Sequence, residues 1–130
     1  MAHPNEDLVR EGIAASQRGD MDAAQKRWAE DIRMHIPGRG LLAGDYQGIE
    51  QMRQFFARFP EVTGGRTIST ELNDVLANDE HAVALMTTRG ERAGKQLTHD
   101  TVAVYRIRNG KIAEVWSYSA DQYALDEFWS

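Results

Sequence analysis

The chain contains no cysteine, which excludes disulfides, thiol catalysis and cysteine-ligated metal. No apolar run approaches the ~18–20 residues that span a bilayer. The opening stretch, Met1-Ala2-His3-Pro4-Asn5-Glu6-Asp7, lacks the basic-then-apolar order of a secretory leader. A cytoplasmic address and no membrane partner are therefore expected. Positive charge is also in short supply: 15 Lys and Arg face 20 Asp and Glu, for a net charge of −5, and the basic residues are scattered among acidic ones. That is a poor electrostatic footprint for nucleic acid, and no nucleic-acid partner is expected. His3, His35, His81 and His99 show none of the close spacings of zinc ligands. Gly38-x-Gly40 opens no phosphate-cradling helix, and no Ser-His-Asp set can be read from spacing. Neither a metal nor a cofactor is expected. Repeats, linkers and low-complexity stretches are missing too.

What is present suits one compact unit. The 130 residues, 42% of them hydrophobic, fit a single domain over 1–130 that buries roughly two-thirds of its unfolded surface. Leu8, Val9, Ile13 and Ser16 fall near helical spacing, with Asn5 as the expected N-cap after Pro4. Gly19 ends that helix and Asp20 can cap the next, in which Met21, Ala24 and Trp28 share an apolar face. Ile32-Arg33-Met34-His35-Ile36 alternates as a short strand and stops at Pro37-Gly38. Residues 38–48 hold four glycines and read as a loop with apolar content. A third helix follows, with Ile49, Met52, Phe56 and Phe59 on one stripe.

From Thr67 the pattern turns to β, with strands expected at about 67–76, 82–92, 96–108 and 111–119. Asn78-Asp79 and Asn109-Gly110 are hairpin turns, the second strongly so because both residues tolerate positive φ. A third turn falls in 90–95. The tail, 122–130, forms a short helix or a closing segment through Tyr123, Leu125, Phe128 and Trp129. Helices followed by long antiparallel strands mean α+β. A sheet curling around the helices leaves a hollow at its mouth.

Several phrases in this order resemble SnoaL-like proteins of the nuclear-transport-factor-like superfamily, over nearly the whole chain. They are Arg18-Gly19-Asp20-Met21-Asp22-Ala23, Trp28-Ala29-Glu30-Asp31, His35-Ile36-Pro37-Gly38, Leu42-Ala43-Gly44-Asp45-Tyr46-Gln47-Gly48, and Asn109-Gly110-Lys111-Ile112-Ala113-Glu114-Val115-Trp116 with Asp121 beyond. The resemblance implies a cone-shaped, cystatin-like α+β fold: a curved mixed or antiparallel sheet wrapped around three N-terminal helices, often dimeric through the outer sheet face. Ketosteroid isomerases, polyketide cyclases, scytalone dehydratases and limonene epoxide hydrolases share it with many non-enzymes. In the enzymes a carboxylate or histidine in an apolar cone carries a proton while neutral donors steady an oxyanion. Aligned on the Pro37 turn, Ile36 takes the place of the isomerase's base. Aligned on the Tyr105–Lys111 hairpin, Ala103 falls near its oxyanion-binding acid. Steroid isomerisation by that route is excluded.

Three residues remain as acid/base candidates. His35, beside the superfamily's base position, is a proton carrier or ligand donor, or else a histidine held by a carbonyl or an interface. His99 shares a strand face with Thr101, Ala103 and Tyr105, which reads as a pocket lining or a plain strand edge. Asp121, in phase with Val115, Ser117 and Ser119, is an acid/base group near the position used by some SnoaL-like cyclases, or a cap for the tail. Trp28, Tyr46 and Tyr118 are candidate ligand-binding aromatics or simple core. Arg89 is a candidate anion holder or a surface ion pair. The expected function is binding of a small hydrophobic organic molecule, leaning to cofactor-independent isomerisation, cyclisation or hydration of a carbonyl compound. The alternative is a non-catalytic binding or dimerisation module.

Overall fold

The computed structural model describes residues 3–63 and 68–130. Ten elements run α1 (Pro4–Gln17), α2 (Met21–Gln25), β1 (Trp28–Ile36), β2 (Gly44–Gln47), α3 (Gly48–Thr63), β3 (Ile68–Ala77), β4 (His81–Arg92), β5 (Lys95–Arg108), β6 (Lys111–Ser119) and α4 (Gln122–Phe128). The expected strands match β3 to β6 within a residue or so; Thr67 lies outside the described residues.

Local chemistry explains the helix ends. Pro4 sits at the first turn of α1, where its missing N–H costs nothing. The cap is His3, not Asn5: His3 Nδ1 accepts from the Asn5 amide at 3.1 Å. Glu6 and Asp7 then face the positive end of the helix dipole. Gly19, at φ +76°, breaks the chain out of α1, and the Asp20 carboxylate accepts from the Ala23 amide. The resulting α2 is only five residues long. Trp28 therefore lies in a strand and not in the second helix. Its spacing from Met21 and Ala24 mimics a helical face because a strand starting right after a short helix also turns its first side chain inward. The expected loop over 38–48 likewise ends in a short strand, β2, pairing antiparallel with β1.

The sheet runs β2-β1-β6-β5-β4-β3. Only β1 and β6 pair in parallel; the other neighbours are antiparallel. Irregularities at Trp28/Arg33, Leu72/Asp74 and Arg106/Ile107 bend the strands, and the curved sheet stays open because β2 and β3 do not meet. Its concave face carries small residues at the centre: Ala84 and Ala103 are register partners, and Ser117 faces Ala103 from the next strand. Val9 and Ala15 of α1, Met52 and Phe55 of α3 and Phe128 of α4 are buried with Ile32, Met34 and Tyr105 of the sheet in one core. Large side chains at the rim and small ones at the centre leave space between helices and sheet. Among the described residues no helix is long and apolar enough to cross a membrane.

Candidate functional site

A hollow of about 180 Å³ opens between the concave face, α3, α4 and the loop before β2. Its polar wall holds four hydroxyls, those of Thr70, Thr88, Thr101 and Ser117, together with His99 and, at the mouth, Asp126. Leu42, Phe55, Phe59, Leu125 and Trp129 make the rest largely apolar. Ile36 is also in the wall, and Ala103 is buried on the same concave face. Ile36 and Ala103 therefore present uncharged side chains to this face.

His99 is the titratable sequence candidate that lines this hollow. Strand alternation puts it in phase with Thr101, and its register partner across β4 is Thr88. His99 Nε2 is 3.0 Å from Thr101 Oγ1. Nδ1 is buried and has no hydrogen-bond partner among the described residues. A buried, unpaired polar nitrogen costs about 1–3 kcal/mol, a price a core histidine avoids and a ligand would remove. Burial pulls the His99 pKa below its usual value, against the opposing charges of Asp100 and Asp121. The ring is accordingly neutral at physiological pH. If Nε2–H donates to Thr101, Nδ1 presents a lone pair; if the Thr101 hydroxyl donates instead, Nδ1 presents a proton.

Asp121 ends β6 as the N-cap of α4, its carboxylate accepting from the Ala124 amide at 3.1 Å. It is exposed and does not line the hollow, but its charge is felt at His99. His35 faces the other way. On the convex side its Nδ1 pairs with Asp45 at 2.7 Å and its Nε2 with Glu114 at 2.6 Å, while the ring stacks on Trp116 at 5.8 Å. Arg106 joins through Glu114 at 3.3 Å. The hydrogen bonds to Asp45 and then Glu114 hold the His35 pKa above its ordinary value.

A pH effect follows from that pairing. The folded pKa exceeds the unfolded value of about 6.5, so the contribution of His35 is complete below that value and fades as pH rises through the folded pKa. Urea titrations of the parent and His35→Gln should therefore differ more at about pH 5.5 than at about pH 9. The change should stay within ~1 kcal/mol because Asp45 is well exposed. An unchanged difference between the two pH values would show that the triplet contributes no pH-dependent stability.

The four ligand candidates separate in the same way. Trp28 is buried, stacks on Phe56 at 6.0 Å and lines a second cavity. Tyr46 donates its hydroxyl to the Leu42 carbonyl at 2.7 Å and sets its ring edge-on to Phe55 at 4.8 Å, so it fixes the loop that covers the hollow. Arg89 is exposed and 3.4 Å from Glu71. Tyr118 is 54% exposed on the convex face.

Sequence reasoning passed over Asp126, Thr70 and Thr88. Asp126 stands at the mouth and accepts from the Arg39 amide and from Gln122 Nε2, both at 2.9 Å. The Arg39 amide first, then Gln122, hold its carboxyl below the usual range. This bracket clamps α4 onto the glycine loop. Gly38, at φ +91°, is required there, since a Cβ would come within 2.2 Å of both the Gln122 amide and the Asp126 carboxylate. Thr88 was legible in principle, being in phase with the inward Ala82 and Ala84; Asp126 left no periodic signal.

With this geometry, the comparisons with known proteins agree. The SnoaL-like domain profile matches residues 9–115. An uncharacterised protein of Mycobacterium tuberculosis is 31% identical over 125 residues, covering 95% of each chain. The structure of Bal32a, from a soil-derived mobile gene cassette, superposes with a TM-score of 0.91 at 35% identity over 99% of this chain and 98% of that one. TerC, co-crystallised with polyporic acid, superposes with a TM-score of 0.81 at 21% identity, covering 97% and 98%, which is a likeness of fold. The fold is shared with a solved NTF2-like protein of Burkholderia xenovorans, and the chain belongs to the SnoaL-like domain family.

Proposed function

We propose that the hollow beside His99 binds a small, largely apolar carbonyl compound and that neutral His99 moves a proton on it without a cofactor. The observation that carries this reading is that His99, whose Nδ1 is buried and partnerless, lines a hollow whose other lining is hydroxyls, apolar groups and, at the mouth, the amide-bound carboxylate of Asp126. With Nε2–H held by Thr101, the Nδ1 lone pair takes the proton α to the carbonyl. The C–H electron pair moves into the enolate, whose oxygen is stabilised by hydroxyls such as Thr88 and Ser117. The imidazolium, favoured by the nearby Asp100 and Asp121 charges, returns the proton to the same or a conjugated carbon. Return to a different carbon is isomerisation; attack of the enolate carbon on a second carbonyl of the same molecule, with the imidazolium proton passed to the alkoxide that forms, is cyclisation. The co-crystallised organic molecule in TerC supports the use of this fold as a small-molecule container.

The test uses acetophenone in deuterated water. The catalytic reading expects binding together with exchange of the methyl protons, and expects His99→Gln to abolish exchange. A second reading, a non-catalytic binding module, is favoured by the state of the carboxylates: Asp121 is spent on a helix cap and Asp126 on loop amides. That reading expects binding with no exchange in either protein. Absence of binding would remove both.

The same proposal includes a homodimer through the convex sheet face. Register aligns Leu76, Val83, Val104, Trp116 and His35 in one row across five strands, and Leu85, Val102 and Tyr118 in the next. Leu76 and Tyr118 are each 54% exposed and Leu85 37%. Up to the polar His35 cluster at one end, these residues form an apolar belt on the sheet surface, which is typical of an interface. Leu85→Glu should leave the fold intact yet halve the mass seen by light scattering. A parent that is already monomeric would refute the dimer.

A further inference from the structure

A second cavity, of about 210 Å³, lies deeper in the cone beneath α1, walled by Trp28, Met52, Phe56, Val115 and the ring of Tyr105. Tyr105 is 9% exposed. Its phenol is pushed up by burial alone, and it makes no hydrogen bond among the described residues. The hydroxyl is therefore a neutral donor on a residue that lines a mostly apolar chamber, whose polar lining is Ser16, Gln17 and Thr70.

The two chambers are not independent. Thr70 lines both, its hydroxyl 3.3 Å from that of Thr88. His99 and Tyr105 lie in phase on β5, with only Thr101 and Ala103 between them on that face. Six residues of strand correspond to about 20 Å along a flat sheet, and to less across a concave one. The Thr70 side chain is thus a wall common to both, and the β5 residues between His99 and Tyr105 on this face, Thr101 and Ala103, are small. Each volume alone suits a one-ring compound such as acetophenone, whereas together they enter the range of about 300–1,000 Å³ usual for larger ligands.

We infer that the His99 hollow and the Tyr105 chamber form one two-lobed site for an elongated, uncharged ligand with an oxygen function at each end: a carbonyl at His99 and a hydrogen-bond acceptor, such as a hydroxyl or ether oxygen, at Tyr105. This rests on the proposed role of the His99 hollow and adds a distal subsite that sets substrate length. Trp28 and Phe56, stacked on each other, line the distal part and favour a planar or aromatic tail. Thr70 is the gate between the lobes, so its side chain must turn aside for the long ligand.

The experiment compares two probes by titration of tryptophan fluorescence, since Trp28 lines the distal lobe. Acetophenone fills the His99 hollow alone. A biphenyl bearing an acetyl group at one end and a hydroxyl at the other reaches both lobes. The long probe should bind at least about tenfold more tightly, and Tyr105→Phe, which removes one oxygen and keeps the ring, should cost it about five- to tenfold while leaving acetophenone unchanged. Equal affinities for the two probes, or a Tyr105→Phe effect that is absent or the same for both, would overturn the two-lobed site. In those cases intact acetophenone binding leaves the His99 reading standing. If acetophenone also fails to bind, that reading falls as well.

Discussion

A His99→Gln variant should bind acetophenone within a few-fold of the parent and exchange its methyl protons about 10²- to 10⁴-fold more slowly. Glutamine keeps roughly the reach of the imidazole and a hydrogen bond to Thr101 Oγ1, but it offers no basic lone pair near neutrality. The separation of binding from exchange is therefore the diagnostic, because a merely structural role for His99 would move both together. The pH profile of the parent supplies a second check. Catalysis needs the unprotonated ring, and burial holds its pKa below the ordinary value. Exchange should rise with pH through a pKa below about 6.5 and be flat from there to neutrality. A profile still rising above pH ~7.5 would point to a different base. Asp100 and Asp121 oppose the burial effect, so adding salt should lower the midpoint slightly by screening them.

The fold was largely legible because it depends on periodicity and turn chemistry that the chain writes locally. Asn109 and Gly110 take φ +53° and +72°, as the hairpin reading requires, and β6 spans the residues expected for it. Failures came where local and tertiary signals coincide. Trp28 satisfies a helical spacing and a strand's inward phase equally well, and only the cap of α2 at Lys26 decides between them. The site was legible in part. Alternation on β5 placed His99 with Thr101 and Ala103, as the register shows. Alternation on β1 also implied that His35 and Ile36 diverge, but not which of them turns inward; the deciding partners, Asp45 and Glu114, lie 10 and 79 residues away. Asp126 could not be read at all. Its importance comes from the Arg39 amide on a glycine loop 87 residues distant, a relation that has no period in the sequence.

Phe128→Ala should cost about 3–5 kcal/mol and should also unroof the hollow. Phe128 is 2% exposed, among the largest fully enclosed side chains, and sets its ring edge-on to Trp129 at 5.1 Å, which in turn meets Phe59 at 6.1 Å. α4 has seven residues, too few to persist without tertiary anchoring. Leu125 and Trp129 also pack against the core, but they adjoin the hollow, and the polar tie is Arg92, which donates to the Phe128 carbonyl at 3.0 Å and sits over the Trp129 ring at 5.8 Å. Loss of the Phe128 anchor thus frees the bracket formed by Asp126 with the Arg39 amide, and with it the loop that carries Leu42 over the cavity. Denaturant titration reads the stability loss, and acetophenone affinity, measured where the variant is still folded, reads the roof. Binding unchanged in a folded Phe128→Ala protein would mean that α4 stabilises the core without closing the site. A combined loss would place the C-terminal helix in the binding wall, with the cap at Asp121 and the clamp at Asp126 as the means by which its position is transmitted to the hollow.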